Sequence, residues 1–289
     1  KPVDDMGAKL SELVKKVPVK YFEIAESSKN TPRTEVLVDP IYNDGSGERV
    51  FINEIGAAWD IIPEKISDEF YEADITIFGG TALVPNIHDK LDDLLKKAKS
   101  KGCITIVNTV FDFRNEQLNP DTKWPIGKSD ETYKFIDLLI TDHAEALRLS
   151  GTSEIEDALA FFKTKHVKSL MITNGVKPLI LYSKGGIFKD SESLKMPVSE
   201  YVLNDKNSAK TGDTTGCGDN FVGGVIYSIV DQIVQGTDKP DIFEAACWGI
   251  VSGGFATYYN GGTYYEKEKG EKFKMIEKLY QLYKKQINE

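Results

Sequence analysis

Residues 210–230, KTGDTTGCGDNFVGGVIYSIV, carry the densest chemistry in the chain. Small polar residues and glycines run straight into an apolar helical pattern. The backbone amides of Gly216, Cys217 and Gly218 would stand at the N-terminus of that helix. A helix start offers unpaired N–H groups and the positive end of the dipole, and so binds anions. Asp219 falls in the first turn, beside that site. A carboxylate next to a phosphate cradle repels the phosphate, so its useful work is to take a proton from a hydroxyl that attacks phosphorus. The plainer role for Asp219 is to complement the dipole. Other phosphate motifs are excluded. There is no G-x-x-x-x-G-K-[ST], and a dinucleotide fingerprint would need Gly where Phe221 stands and an apolar strand ahead of it, where NDKNSAKTGD is polar.

The elements that must position this segment follow from periodicity. Residues 6–16 read as a helix, with Leu10, Leu13 and Val14 at helical spacing. TEVLVDP (34–40) and ERVFINE (48–54) read as a hairpin across IYNDGSG. From about residue 60 strands and helices alternate: strands at 74–80, 103–109, 135–141 and 168–175, helices at 86–102 and 155–166. PLILYSK (178–184) and GIFKD (186–190) read as an antiparallel pair. The stretches 217–235, 241–258 and 265–286 are helical, and 115–130 is the most loop-like part. In the last helix Phe273, Ile276, Leu279, Tyr280 and Tyr283 form one stripe, read as core packing. Apolar, β-branched strands alternating with amphipathic helices indicate an α/β fold with a mostly parallel, helix-covered sheet. Ligands in such sheets bind beyond the carboxyl ends of the strands. The loops at Gly79–Gly80, Asn108–Arg114, Thr141–Glu145 and Thr173–Lys177 are therefore expected on one rim.

Composition limits the alternatives. The 289 residues carry 36 basic and 45 acidic side chains, a net charge of −9, without a long Lys/Arg run. That argues against a nucleic-acid or anionic-membrane partner. No apolar stretch reaches the length of about 18 residues that spans a bilayer. Cys103, Cys217 and Cys247 are odd in number and scattered, which fits a reducing, cytoplasmic compartment. Three dispersed histidines do not suggest a zinc site.

The string D-T-T-G-C-G-D-N-F followed by V-G-G closely resembles the C-terminal signature of the ribokinase-like (PfkB) sugar kinases, D-T-x-G-A-G-D-x-F, with Cys217 for the usual Ala. The resemblance extends over almost the whole chain. Residues 38–60 resemble the family's strand pair that lids the sugar site, ITNG (172–175) its T-x-G turn, and SGGFATYYNGG (252–262) the segment closing the adenine pocket and cation loop. It implies a single ribokinase-like three-layer α/β/α domain over 1–289 with a β lid at about 33–58. It implies an ATP-dependent kinase of a small sugar or sugar derivative, fructokinase- or ribokinase-like. A nucleoside kinase of the same fold, or a catalytically silent binding or regulatory protein, is the alternative.

By the same resemblance Asp219 is the base that contacts the substrate hydroxyl, and Gly216, Cys217 and Gly218 form the anion hole. ATP lies across Thr173, Gly175 and the 216 loop, with Gly249 in the nucleotide site. Asp142 and Glu145 stand where the family's N-x-x-E positions Mg²⁺, with Asp in place of Asn. A monovalent cation, K⁺, would sit at Asp213 and Thr215 with carbonyls of Ala256, Tyr259 and Gly261; a turn or N-cap role for Asp213 is the even alternative. The family's D-x-N-x-R loop is replaced by residues 108–114. Arg114 and Arg33 are candidates for substrate contact, against ordinary surface salt bridges, and His143 is given no role. A homodimer through the lid is expected. PVDDMGAKLSELVKK (2–16) resembles the family's V-G-x-D-x-x-G helix, which follows an opening portion bearing G-G-x-x-N and an Asp that holds the sugar. The resemblance thus implies an N-terminally incomplete domain that holds the nucleotide half of the site.

Overall fold

The computed structural model describes residues 4–15, 27–39, 41–42, 48–205 and 214–288. Strand β1 (Arg33–Asp39) pairs antiparallel with β2 (Glu48–Glu54), Val36 opposite Phe51. A second sheet runs in the order β3 (Ile75–Gly79), β4 (Ile104–Asn108), β5 (Leu138–Asp142), β6 (Ser169–Asn174), β7 (Lys177–Ser183), β8 (Ser191–Met196). Strands β3 to β6 are parallel, while β7 and β8 join antiparallel. The helices are α1 (Asp5–Val14), α2 (Pro85–His88), α3 (Leu91–Ser100), α4 (Phe113–Leu118), α5 (His143–Ser150), α6 (Ile155–Thr164), α7 (Glu200–Asn204), α8 (Cys217–Val234), α9 (Ile242–Phe255) and α10 (Glu271–Asn288).

Both faces of the large sheet are buried, and alternation along each strand divides its residues between two cores. Val107, Leu139, Leu170, Ile172 and Ile180 point into one, with Leu94, Leu95 and Phe162 of α3 and α6. Ile106, Leu138, Ile140, Met171 and Leu181 point into the other, with side chains of α8, α9 and α10. This is the three-layer α/β/α arrangement expected from continuous apolar strands.

Three sequence expectations shift. Residues 186–190 are not a strand. Gly185 and Gly186 both take φ +83°, so the chain turns there, Phe188 is buried, and the partner of β7 is β8 at 191–196. The helix expected over 86–102 breaks into α2 and α3 at Asp89–Lys90. The segment 115–130 contributes to α4, capped by Asp112, whose carboxylate accepts from the Asn115 amide at 3.0 Å.

Helices α8 and α9 approach closely because glycines face the contact. A Cβ on Gly224 would lie 2.4 Å from Ser252 Oγ and from the Trp248 carbonyl oxygen. One on Gly249 would meet Phe221 and Val225 at 2.8 Å. Gly223, one residue away, faces open space. Gly224→Ala is therefore expected to destabilise the protein by about 2 kcal/mol through overpacking. Gly223→Ala should be neutral or stabilising by about 0.5–1 kcal/mol through reduced backbone entropy. Urea denaturation of the two variants checks the contrast; equal effects would contradict it.

Candidate active site

The carboxyl ends of β3, β4, β5 and β6 lie side by side, with Gly79 opposite Asn108 and Asp142 opposite Thr173. The four loops expected to share a rim do so. At the β5 end the chain turns directly into α5 through a capping box. The Asp142 carboxylate accepts from the Glu145 amide at 2.7 Å, and the Glu145 carboxylate accepts from the Asp142 amide at 3.3 Å. Glu145 is 7% exposed. Its Oε2 also accepts from the Thr109 hydroxyl, which bonds Thr141 Oγ1 at 2.8 Å. Burial, helped by the negative charge of Asp142, raises the Glu145 pKa above the usual carboxylate range, while the bonds from Thr109, Asp142 and Thr141 oppose that rise.

Thr173 donates from its hydroxyl to the Thr141 carbonyl at 3.5 Å. Gly175, at φ +56°, forms the turn into β7 with open space around its α-carbon. Both therefore stand on the same rim as Asp142 and Glu145.

The α8 turn is built on one glycine. Gly216 is left-handed, φ +78°, and a Cβ there would sit 2.4 Å from the Gly262 α-carbon. Only glycine satisfies both conditions. The Cys217 amide closes a turn on the Thr214 carbonyl at 3.3 Å. Gly218 and Asp219 follow in the first helical turn, where the helix itself offers no acceptor to their amides. Among the described residues nothing lies within 4 Å of a Cβ placed on Gly218. Asp219 is exposed beside it. Asn220 ties the turn to the 256–262 segment: its Nδ2 donates to the carbonyls of Gly216 at 2.8 Å and Gly262 at 3.1 Å. A cavity of about 480 Å³ opens here, lined by Asp219, Asn220, Tyr227, Trp248 and Lys272 among others.

The structure thus brings Gly216, Cys217, Gly218 and Asp219 together with Tyr259 and the 261–262 turn, and sets Asp142, Glu145, Thr173 and Gly175 on the strand rim. Thr215 is exposed at the mouth of the α8 turn, Ala256 is buried, and Gly261 is left-handed. Asp213 lies outside the described residues. Gly249 sits inside the α8–α9 contact, where its role is close packing. Arg33 lies on the lid and pairs across it with Glu54 at 2.8 Å. Arg114 forms a two-pronged ion pair with Asp89 and lines a second cavity of about 480 Å³ beneath the lid, with Phe51, Asn53, Trp59 and Phe113.

Sequence reasoning missed Asn220 and Lys272. Their partners lie 42 and 52 residues distant, and no local pattern marks such pairs. It also missed the buried trio of His88, Thr81 and Asp112. His88 Nδ1 lies 3.0 Å from Thr81 Oγ1, and Nε2 lies 3.5 Å from Asp112. Burial lowers the His88 pKa.

The residues fit a nucleotide phosphate, since open amides at a glycine turn and a helix start receive an anion. Among the described residues no three His, Cys, Asp or Glu side chains gather to ligate a metal directly. Asp142 and Glu145, with the Thr109 and Thr141 hydroxyls, form an all-oxygen set of the kind that suits a hard divalent ion held through water. Among those residues, too, no helix is long and apolar enough to cross a membrane.

Comparison with known proteins bears on the family and the fold. The profile of the pfkB family carbohydrate kinases matches residues 4–249. Inositol 3-kinase of Arabidopsis thaliana is 25% identical over 268 residues, 89% of this chain and 65% of the relative, so the chain spans about two thirds of that relative's length. The structure of ribokinase from Thermotoga maritima superposes with a TM-score of 0.65 at 20% identity, covering 97% of this chain and 79% of that one. Adenosine kinase from Sinorhizobium meliloti superposes at 0.69 and 18% identity, covering 92% and 72%. Likeness at these identities establishes a ribokinase-like fold.

The raised pKa of Glu145 gives a pH test. The folded state binds this proton more tightly than the unfolded chain, whose Glu titrates near about 4.3. The resulting stabilisation is full below that value and is lost as pH rises through the raised pKa. Glu145→Gln keeps a neutral acceptor. In chelator, its melting temperature is expected to gain on the wild type from pH 4.5 to pH 8. A difference that does not change with pH would count against the buried-acid assignment.

Proposed function

The chain belongs to the pfkB family of carbohydrate kinases, and from that premise we propose that it transfers the γ-phosphoryl group of ATP to a hydroxyl of a small sugar or cyclic polyol. The observation that carries the reading is Asp219 in the first turn of α8, soon after a glycine that can only be glycine, Gly216, and at a helix start whose Gly218 and Asp219 amides have no intrahelical acceptor. The Cys217 amide, expected in the anion hole, is instead engaged by the Thr214 carbonyl, so the amides of Gly218 and Asp219 at the helix start are the ones that receive the transferring phosphoryl oxygens and stabilise the charge that spreads over them. Asp219 accepts the proton of the acceptor hydroxyl as its oxygen bonds to phosphorus and the bond to the ADP oxygen breaks. When bound, Mg²⁺ supplies charge neutralisation along the phosphates, and Asp142 and Glu145 are the residues that would hold it through water. Thr173 and Gly175 border the nucleotide on the rim. Similarity to an inositol 3-kinase and to an adenosine kinase puts both cyclic polyols and nucleosides in the acceptor panel.

Asp219→Asn tests the base. Removing a positioned general base typically costs about 10²–10⁴-fold in rate. The expected result is a loss of at least about a hundredfold in acceptor-dependent ADP release with the fold retained. A loss under about tenfold would remove Asp219 from the role. The coupled ADP-release assay should be run across hexoses, pentoses, cyclic polyols, sugar acids and nucleosides. ATP binding with no turnover over that panel would favour a silent binding protein.

We further propose a homodimer formed through the lid, in a reducing compartment. Leu37, Val50 and Ile52 share the lid face turned away from the body, each more than half exposed, while Phe51 on the opposite face meets Phe113. An open apolar strand pair of this kind is a pairing surface. Sedimentation analysis should give twice the chain mass, and Leu37→Glu should halve it; a wild-type monomer at high concentration would refute the lid dimer.

A further inference from the structure

Asn220 is 8% exposed and every hydrogen-bonding position of its amide that the fold can reach is used. On one side Nδ2 faces two carbonyls, those of Gly216 and Gly262. On the other side Oδ1 accepts from Lys272 Nζ at 2.6 Å and from the Tyr259 hydroxyl at 3.3 Å. This arrangement has one chemical solution. Carbonyls demand donors, and an ammonium demands an acceptor, so the reversed amide would set NH₂ against NH₃⁺ and oxygen against two oxygens. Lys272 therefore fixes the orientation of Asn220, and Asn220 in turn clamps the glycine that starts α8 against the 262 segment.

Lys272 is itself held. It lies in the first turn of α10, whose amides at Gly270 and Lys272 donate to the two oxygens of Glu266 at 3.1 and 2.9 Å. Its side chain is partly buried in the wall of the cavity that Asp219 also lines. Burial lowers the ammonium pKa, and the charge of Glu266 opposes that drop. Keeping a partly desolvated cation at this position is costly unless something nearby repays it. Facing the positive end of α8, a bound anion would do so.

We propose that Lys272 is a positioning residue, a built-in cation that acts through Asn220 to hold the amides of the α8 turn in the geometry that receives a phosphoryl group. The assignment rests on the kinase reading for its ligand, but it can be read out without turnover. Affinity for the β,γ-imido analogue of ATP is measured by calorimetry on the full chain, with melting temperature as the folding control. Lys272→Ala is expected to weaken that affinity by about tenfold, the scale of one lost charge-assisted hydrogen bond. Ethylammonium at tens of millimolar should restore most of the loss in Lys272→Ala, where it refills the vacated space. Lys272→Met, which fills that space without charge, should be equally weak and not be restored. A purely structural tie would instead lower the melting temperature of Lys272→Ala, and the ion would restore that temperature together with the affinity; this result would overturn the positioning role.

Analogue affinities within about twofold of the wild type in both variants would overturn the proposal. So would a loss in folded Lys272→Ala that ethylammonium leaves unchanged. If the wild type binds the analogue and Lys272→Ala follows the expected pattern, yet no acceptor is phosphorylated, the kinase reading fails and the Lys272 assignment stands. If acceptors are phosphorylated and Lys272 variants bind normally, the reverse holds. A wild type that does not bind the analogue defeats both.

Discussion

The contact between Gly216 and Gly262 is the constraint on which the start of α8 depends. At this point two backbones come so close that a single methyl group on Gly216 would lie 2.4 Å from the facing α-carbon. The left-handed residue directs the chain into α8, and Asn220 joins the two carbonyls that the approach brings together. Everything placed on the first turn of α8 inherits its position from this contact. Among the described residues no side chain bonds Asp219, and its place is set by the first turn of α8.

The opposite wall comes from a different source. Parallel strands with both faces buried must end together, because each strand's register is fixed by two independent cores. The rim carboxylates of Asp142 and Glu145 are held by the local helix-capping geometry of α5, which also explains why a negative charge is tolerated at Asp142 in place of an amide. The rim is thus set by sheet register, and the α8 turn by one glycine contact.

Much of this is written locally in the sequence. Runs such as Leu138–Ile140 and Leu170–Ile172 are apolar on both parities, which only a doubly covered strand requires. The α8 signature is a contiguous string, so the anion-receiving turn is legible without tertiary knowledge. Errors fell where local and global preferences part. Ile187 and Phe188 look like strand residues, but the Gly185–Gly186 turn takes Phe188 into the core as a loop side chain. The stripe on α10 was legible as packing, and Ile276, Leu279 and Tyr283 do pack. Phe273 stacks on Trp248 and meets Tyr227, and with Ile276 and the neighbouring Lys272 it also lines the cavity. The roles of Arg33 and Arg114 depended on which acid each would meet, and Glu54 and Asp89 are chosen by the fold.

The glycine-mediated approach of α8 to α9 also has a mechanical meaning. Gly224, Gly249 and Gly253 place backbone against backbone or ring at three levels, so the two helices form one stiff member that resists bending or sliding. The lid is a two-stranded ribbon, joined to the body in part by ring contacts such as Phe51 with Phe113. On the proposed kinase reading, stiffness and compliance fall at opposite ends of the reaction: the α8 end is fixed by close packing, and adaptation to acceptors of different shape is left to the ribbon. In such a division, a change of acceptor preference calls for substitutions in the lid and the loop beneath it, while the stiff pair stays as it is.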